Sequence, residues 1–326
     1  LPFREPLAGK AIELSSDHAI RAQILGSIGL SESELQQAVA LFENRKGIII
    51  AGRGCGDASA ISDLAESLGW PVLADSRSGC QGIPESVVHF DSLIRCQAFI
   101  EHQVPEVVLR IGESPSSKVL SQYVTKSGAL QVHVSAFENT FDADSQVSMH
   151  ISCDPTTFCR GISRLIKAAS DPNHLSQWVS ADQKARAIIT KEFASSKNVL
   201  SAPQVAFVSR ASLSTGDNLF VSSSMPVRDL EWFGGDCSSL QVFSNRGANG
   251  IDGVIASAIG VAIATRQKTL VLLGDVAFLH DSSSLTALAD RDVDLKIVVT
   301  DNDGGGIFHY LPQAEIVSEQ VFEKLF

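Results

Sequence analysis

The sequence predicts an α/β fold made of two doubly wound parallel-sheet domains. Short apolar runs alternate with helix-length amphipathic intervals along most of the chain. Those runs are apolar at nearly every position, as strands buried on both faces of a parallel sheet are. At roughly 150 residues per domain, 326 residues also correspond to two domains.

Pro2 and Pro6, followed by polar residues, make residues 1–19 a linker. Ser31 and Glu34 have the spacing of a capping box ahead of Leu35, Val39 and Phe42, which predicts an amphipathic helix. Gly47–Ala51 reads as a buried strand. The turn Gly52-Arg53-Gly54-Cys55-Gly56-Asp57 follows it, then a helix through Ile61, Leu64, Ala65 and Leu68, and a strand Trp70–Ala74, which completes a βαβ unit. Val107–Gly112 and Leu130–Val134 are further strands, and a first domain of 20–172 closes at Asp171-Pro172-Asn173. A polar helix from about Leu175 to Lys197 leads into a second domain, 173–326. Its strands are Asn218–Val221, Thr269–Leu273 and Leu295–Thr300, with helices at Gly253–Ala264 and Ser282–Leu288 and a helix-like run from Ala314 to Phe326. Residue 1 is not Met and the chain stops just after that run, so it is expected to be a fragment of something longer.

The charge balance, 26 − 37 = −11, argues against broad contact with nucleic-acid phosphates or anionic membranes. Small anionic substrates remain possible through local basic residues. No apolar run approaches the ~20 residues needed to span a bilayer, and the first residues lack the regions of a signal peptide. The six cysteines (Cys55, Cys80, Cys96, Cys153, Cys159, Cys237) contain no CxxC pair, so neither a zinc site nor a disulfide framework is indicated. A soluble, unexported protein of a reducing compartment, the bacterial cytoplasm by default, is the expectation.

The stretch richest in chemistry is Leu270-Val271-Leu272-Leu273-Gly274-Asp275, followed after a helix by Ile297-Val298-Val299-Thr300-Asp301-Asn302-Asp303-Gly304-Gly305-Gly306. Ligands of open α/β sheets bind beyond the carboxyl ends of strands, so Asp275 and the Asn302 loop are expected at one rim. A carboxylate, an amide oxygen and the Gly304 carbonyl form a three-oxygen half-shell suited to Mg²⁺, whose remaining positions phosphates and water would fill. Asp301 and Asp303 are the nearest competitors for that role. The bland alternative is a turn at Gly274-Asp275 and a flexible loop at Asp301–Gly306.

The interval from Asp275 to Asn302 resembles the thiamine-diphosphate motif, which opens Gly-Asp-Gly and ends in Asn; Val276 departs from its third position. Three further stretches narrow the resemblance: Ser222-Ser223-Ser224-Met225-Pro226-Val227-Arg228-Asp229, Ser244-Asn245-Arg246-Gly247-Ala248-Asn249-Gly250-Ile251-Asp252-Gly253, and Gly306-Ile307-Phe308-His309-Tyr310-Leu311-Pro312. Together they resemble the 2-succinyl-5-enolpyruvyl-6-hydroxy-3-cyclohexene-1-carboxylate (SEPHCHC) synthases, the MenD family of menaquinone biosynthesis, over nearly the whole chain. Pro2-Phe3-Arg4-Glu5-Pro6-Leu7 is similar to that family's exit from its first, pyrimidine-binding domain. The chain would then hold a linker (1–19), the central domain (20–172) and a C-terminally incomplete diphosphate-binding domain (173–326).

The resemblance implies a transferase of the carboligase kind: decarboxylation of 2-oxoglutarate, then addition of the succinic semialdehyde carbanion to isochorismate. It implies thiamine diphosphate with Mg²⁺ (or Mn²⁺) as cofactors. It assigns Asp275, Asn302 and the Gly304 carbonyl to the metal, and Ser223, Gly274, Ile251, Ile307, Phe308 and Leu311 to the cofactor pocket, with Ile251 as the apolar prop beneath a bent cofactor. Arg228, Arg246, Ser224 and Lys118 are the implied substrate contacts, the arginines pairing with carboxylates. For Ser224, N-capping of the next helix is an equally good account. His280 and His309 are read as structural or rim residues. The activating glutamate would come from the pyrimidine-binding domain of a second subunit, in a homodimer or homotetramer, so these 326 residues alone are expected to be inactive.

Two rival readings stand beside this one. An acetohydroxyacid-synthase-like carboligase would share the metal motif. A dinucleotide-binding or regulatory module is prompted by Gly52–Asp57, although the fingerprint's last glycine is Asp57 here and a tight strand-to-helix turn explains those glycines equally.

Overall fold

The computed structural model describes residues 26–325 apart from 138–141, 143–144, 172, 196–199 and 246–249. Among these residues the strands form two sheets, each parallel throughout. The first contains β1 (Gly47–Ala51), β2 (Val72–Ala74), β3 (Ser86–Val87), β4 (Val107–Ile111), β5 (Leu130–Ser135) and β6 (Met149–Ser152), in the order β3-β2-β1-β4-β5-β6. Ile49 sits opposite Val72 on one side and Leu109 on the other, so the Gly-Ile-Ile-Ile-Ala run is buried completely. The second contains β7 (Asn218–Val221), β8 (Gln241–Phe243), β9 (Thr269–Gly274) and β10 (Leu295–Thr300), in the order β10-β9-β7-β8. The expected fold class is therefore the one observed.

Helices cover both faces of each sheet. The first, Glu32–Val39, opens with the expected capping box: Ser31 Oγ accepts from the Glu34 N–H at 3.4 Å, and Glu34 Oε2 accepts from the Ser31 N–H at 2.7 Å. On one face of the first sheet Phe42 packs edge-to-face on Trp70 and Phe158, with centroids 5.9 and 6.4 Å apart. On the other face Trp178 meets Phe99 at 5.0 Å. Trp178 belongs to the helix His174–Ser195, which is tied to the first domain by His174 Nε2 beside the Gly47 carbonyl (2.9 Å) and by Asp182, which accepts from the His89 N–H (2.7 Å). The far end of this helix packs Phe193 against Phe207 and Phe233 of the second domain.

Some local expectations need correction. Ser282–Leu288 is a 3-10 helix, preceded by an α-helix at Asp275–Asp281 that the sequence reading did not include. The hydroxyls of Ser282 and Thr286 donate to nearby backbone carbonyls, and such local bonds compete with regular α-helix. The run from Ala314 is two short helices, Gln313–Ile316 and Glu319–Leu325.

The Gly52 turn is explained by packing. A Cβ on Gly52 would lie 1.6 Å from the Glu113 carbonyl oxygen, and Gly112 has φ +75° with its own missing Cβ 2.4 Å from the Arg53 carbonyl. These glycines let the ends of β1 and β4 close on each other where the strand order reverses. No helix among the described residues is long and apolar enough to cross a membrane.

Candidate active site

The second sheet reverses its strand order between β7 and β9, where ligands of such sheets bind. The Ser222–Ser224 loop leaves β7, Asp275 follows β9, and the Asn302 loop follows β10. Together they border a cleft of about 790 Å³. Asp275 Oδ2 accepts from the Gly304 N–H at 2.7 Å and from the Asn302 N–H at 3.4 Å, while Oδ1 accepts from the Val276 N–H at 2.7 Å. Partial burial opposes ionisation of Asp275, but the backbone N–H groups of Val276, Gly304 and Asn302 outweigh it and hold the carboxyl below its ordinary pKa. Asp303, Gly304 and Gly305 follow one another with φ of +65°, +83° and +59°, a left-handed path that folds the loop around this carboxylate and suits glycine at 304 and 305. Val276, the departure from the motif, leaves room: the nearest atom to a Cβ built on Gly304 is its Cγ2, at 3.7 Å.

Gly274, Asp275, Asn302, Ile251, Ile307 and Phe308 all line the cleft, as do Ser223 and Ser224. A Cβ on Gly274 would meet nothing nearer than the Thr300 carbonyl at 4.0 Å, so the glycine leaves open space at the rim. Ser223 is 5% exposed and its hydroxyl has no hydrogen-bond partner among the described residues. Ser224 sits at φ +72°, unusual for a residue with a side chain, and its hydroxyl does not cap the helix Met225–Phe233. The N-capping account of Ser224 therefore fails. Its conformation is braced by the Arg228 guanidinium, which donates to the Ser224 carbonyl. A backbone cost of about 1–3 kcal/mol at such a position marks functional loops. The ionised carboxylate, the neighbouring amide and carbonyl oxygens and the unpartnered buried hydroxyl form a donor set that fits a hard divalent cation carrying a phosphate ligand.

Comparison with known proteins identifies the family. The model for the middle domain of thiamine pyrophosphate enzymes matches residues 26–221, and that for their C-terminal TPP-binding domain matches residues 238–321. The chain belongs to the thiamine pyrophosphate enzymes. Curated proteins named 2-succinyl-5-enolpyruvyl-6-hydroxy-3-cyclohexene-1-carboxylate synthase are similar over most or all of the chain. The one from Myxococcus xanthus is 35% identical over 349 aligned residues, covering 100% of this chain and 58% of its own length. Its counterpart in Chloroflexus aurantiacus is 35% identical over 343 residues with the same coverage. That of Halorubrum lacusprofundi is 34% identical over 298 residues, covering 83% of this chain and 48% of its own length. The chain thus spans about half the length of these relatives, from 48% to 58%.

Other expected site residues of this thiamine pyrophosphate enzyme lie off the cleft wall. Arg228 is half-buried behind Ser224, and Leu311 is half-buried beyond the wall residues. Lys118 is exposed in the first turn of Lys118–Ser127 in the other domain. Arg246 lies outside the described residues. His309 is on the rim, exposed and stacked edge-on to Phe322 at 4.9 Å, while His280 is exposed away from the cleft wall.

Sequence reasoning missed Asp229, four residues after Met225 on the same helical face and 4% exposed on the cleft wall. Burial pushes its pKa up to about 7 against the pull of Arg228. Because the folded pKa lies above the ordinary 3.8, the folded state holds the extra proton between those values, and stability falls as pH rises through that range. Asp229→Asn is therefore expected to raise the melting temperature at pH 8, with the gain vanishing toward pH 4. Each pKa unit is about 1.4 kcal/mol, so the gain is of the order of a few kcal/mol. Thermal melts of both proteins across this range check it.

Proposed function

We propose that the complete protein uses thiamine diphosphate and Mg²⁺ (or Mn²⁺) to decarboxylate 2-oxoglutarate and to join the four-carbon unit to isochorismate, giving SEPHCHC and carbon dioxide. The observation that carries this is the Asp275–Asn302–Gly304 rim, set beside the strained Ser224 loop in a chain similar along its whole length to proteins named SEPHCHC synthase. Thiamine diphosphate, when bound, supplies an electron sink for decarboxylation and carbon–carbon bond formation. Asp275, Asn302 and the Gly304 carbonyl would hold the metal, Ser223 and the open rim at Gly274 would take the diphosphate, and Ile251, Ile307 and Phe308 would exclude water from the reacting end. Arg228, Arg246 and Lys118 supply cations for substrate carboxylates, and Ser224 supplies a hydroxyl.

The reading includes a cytoplasmic homodimer or homotetramer in which a pyrimidine-binding domain of the neighbouring subunit completes each site. The 326 residues alone are then expected to give no turnover. The test is an assay of the full-length protein with both substrates, thiamine diphosphate and Mg²⁺, following isochorismate loss and product mass. Product that requires both substrates supports the proposal. Carbon dioxide release without isochorismate consumption would place the acceptor elsewhere, as in an acetohydroxyacid-synthase-like enzyme. Inertness toward every 2-oxo acid would overturn the reading.

A further inference from the structure

Cys55, Cys80, Cys153 and Cys159 are all buried in the core of the first domain as free thiols. Two of them touch. The sulfurs of Cys55 and Cys80, which stand 25 residues apart in sequence, are 3.5 Å from one another in hydrogen-bond contact, with the Ser78 carbonyl oxygen 3.4 and 3.7 Å away. The contact divides the pair. The bond from Cys55 outweighs burial at Cys80 and holds its pKa below the ordinary thiol value, while donating that bond and burial together push the Cys55 thiol up. The thiolate is the form that attacks an oxidant.

The pair lies one residue below the surface. Cys55 stands between exposed Gly54 and Gly56, and Cys80 follows exposed Gly79. Gly54 and Gly79 have φ of +78° and +74°, and a Cβ on either would meet nothing within 4 Å. Such thinly packed turns are where local opening costs least. Bonding requires the sulfurs to close from 3.5 Å to about 2.0 Å, a movement that side-chain rotation and the two glycine turns can absorb.

We propose that Cys55 and Cys80 form a reversible dithiol–disulfide site, oxidised by hydrogen peroxide, which cross-links the turn after β1 to the loop after β2. The Cys80 thiolate attacks one peroxide oxygen, the O–O bond breaks and hydroxide leaves, which makes Cys80 a sulfenic acid. That hydroxide takes the Cys55 proton. The Cys55 thiolate then attacks the Cys80 sulfur and the S–O bond breaks, and the departing hydroxide takes up the proton that Cys80 lost on ionising. Two thiols and one hydrogen peroxide thus give one disulfide and two waters, each sulfur losing one electron. The cross-link bears on the seam between the domains through the next residue. Gln81 donates from Nε2 to the Ala74 carbonyl at 3.1 Å and accepts at Oε1 from the Cys237 N–H of the second domain at 2.8 Å. Oxidation therefore restrains the loop that makes this inter-domain contact.

The experiment exposes the full-length protein to graded hydrogen peroxide, caps the remaining thiols under denaturing conditions and maps the unreduced peptides by mass spectrometry. The expected result is a peptide pair joined through Cys55 and Cys80, two hydrogens lighter than the separate thiol peptides, which dithiothreitol returns to free thiols. Free Cys55 and Cys80 should disappear together while Cys153 and Cys159, as deeply buried, are still capped. Cys55→Ser and Cys80→Ser should each lose the cross-link, and Cys55→Ser should leave a Cys80 sulfenic acid that dimedone traps. The comparison of four buried thiols is internal to wild type, so it decides the matter even where a variant fails to fold. Loss of all four at one rate would mean that oxidation follows unfolding, and overturns the proposal. So does oxidation of Cys80 to sulfinic acid with no joined peptide, or survival of both thiols at peroxide concentrations that convert exposed Cys96 to sulfinic acid.

Discussion

Asp275→Ala is expected to abolish retention of thiamine diphosphate with Mg²⁺, weakening it by more than about 100-fold, beyond the 10–100-fold usual for losing an outer-shell partner. Two losses combine. Asp275 is the only anion among the three proposed donors, and a hard cation gains most from it. Its carboxylate also receives the N–H groups of Asn302 and Gly304, so its removal releases the loop that carries the other two donors. Calorimetric titration of thiamine diphosphate at fixed Mg²⁺ reads the first loss. Since Asp275 lies on a half-exposed rim, the melting temperature should change little. Unaltered binding in the variant would remove this rim from the account of the cofactor.

Gly52→Ala should be the most damaging single-methyl change in the first domain. The added carbon would lie 1.6 Å from a backbone carbonyl oxygen, that of Glu113, which cannot rotate away as a side-chain end could. β1 and β4 pair in parallel register up to Ala51 and Ile111, so relief means parting the centre of the sheet. The expected cost is at or above the top of the roughly 1–3 kcal/mol range of overpacking. Gly54→Ala is the control: it meets nothing within 4 Å, and its φ of +78° alone costs about 1–2 kcal/mol. Urea unfolding of the two variants should separate them clearly.

The central strands were legible because burial on both faces leaves an uninterrupted apolar run, as in Gly47–Ala51 and Asn218–Val221. β3, β6 and β8 are edge strands of two to four residues, too short and too mixed in polarity to register as a pattern. Within the site, Asp275 and the Asn302 loop were legible as oxygen-bearing residues at the ends of two apolar strands. Asp229 and Glu231 were not. In sequence they are acids beside Arg228, with no spacing or motif that sets them apart from surface acids. Only the fold turns Asp229 to the cleft and Glu231 into the domain seam.

The His174–Ser195 helix, about 33 Å long at 1.5 Å per residue, is owned by both domains. Recombining this chain with a relative therefore has a favoured splice point. A crossover before Trp178 pairs one parent's indole with the other parent's socket, and one beyond Phe193 does the same to the aromatic cluster with Phe207 and Phe233. Residues 186–192, mostly facing water, form a stretch where two parental sequences can be joined with both cores inherited whole.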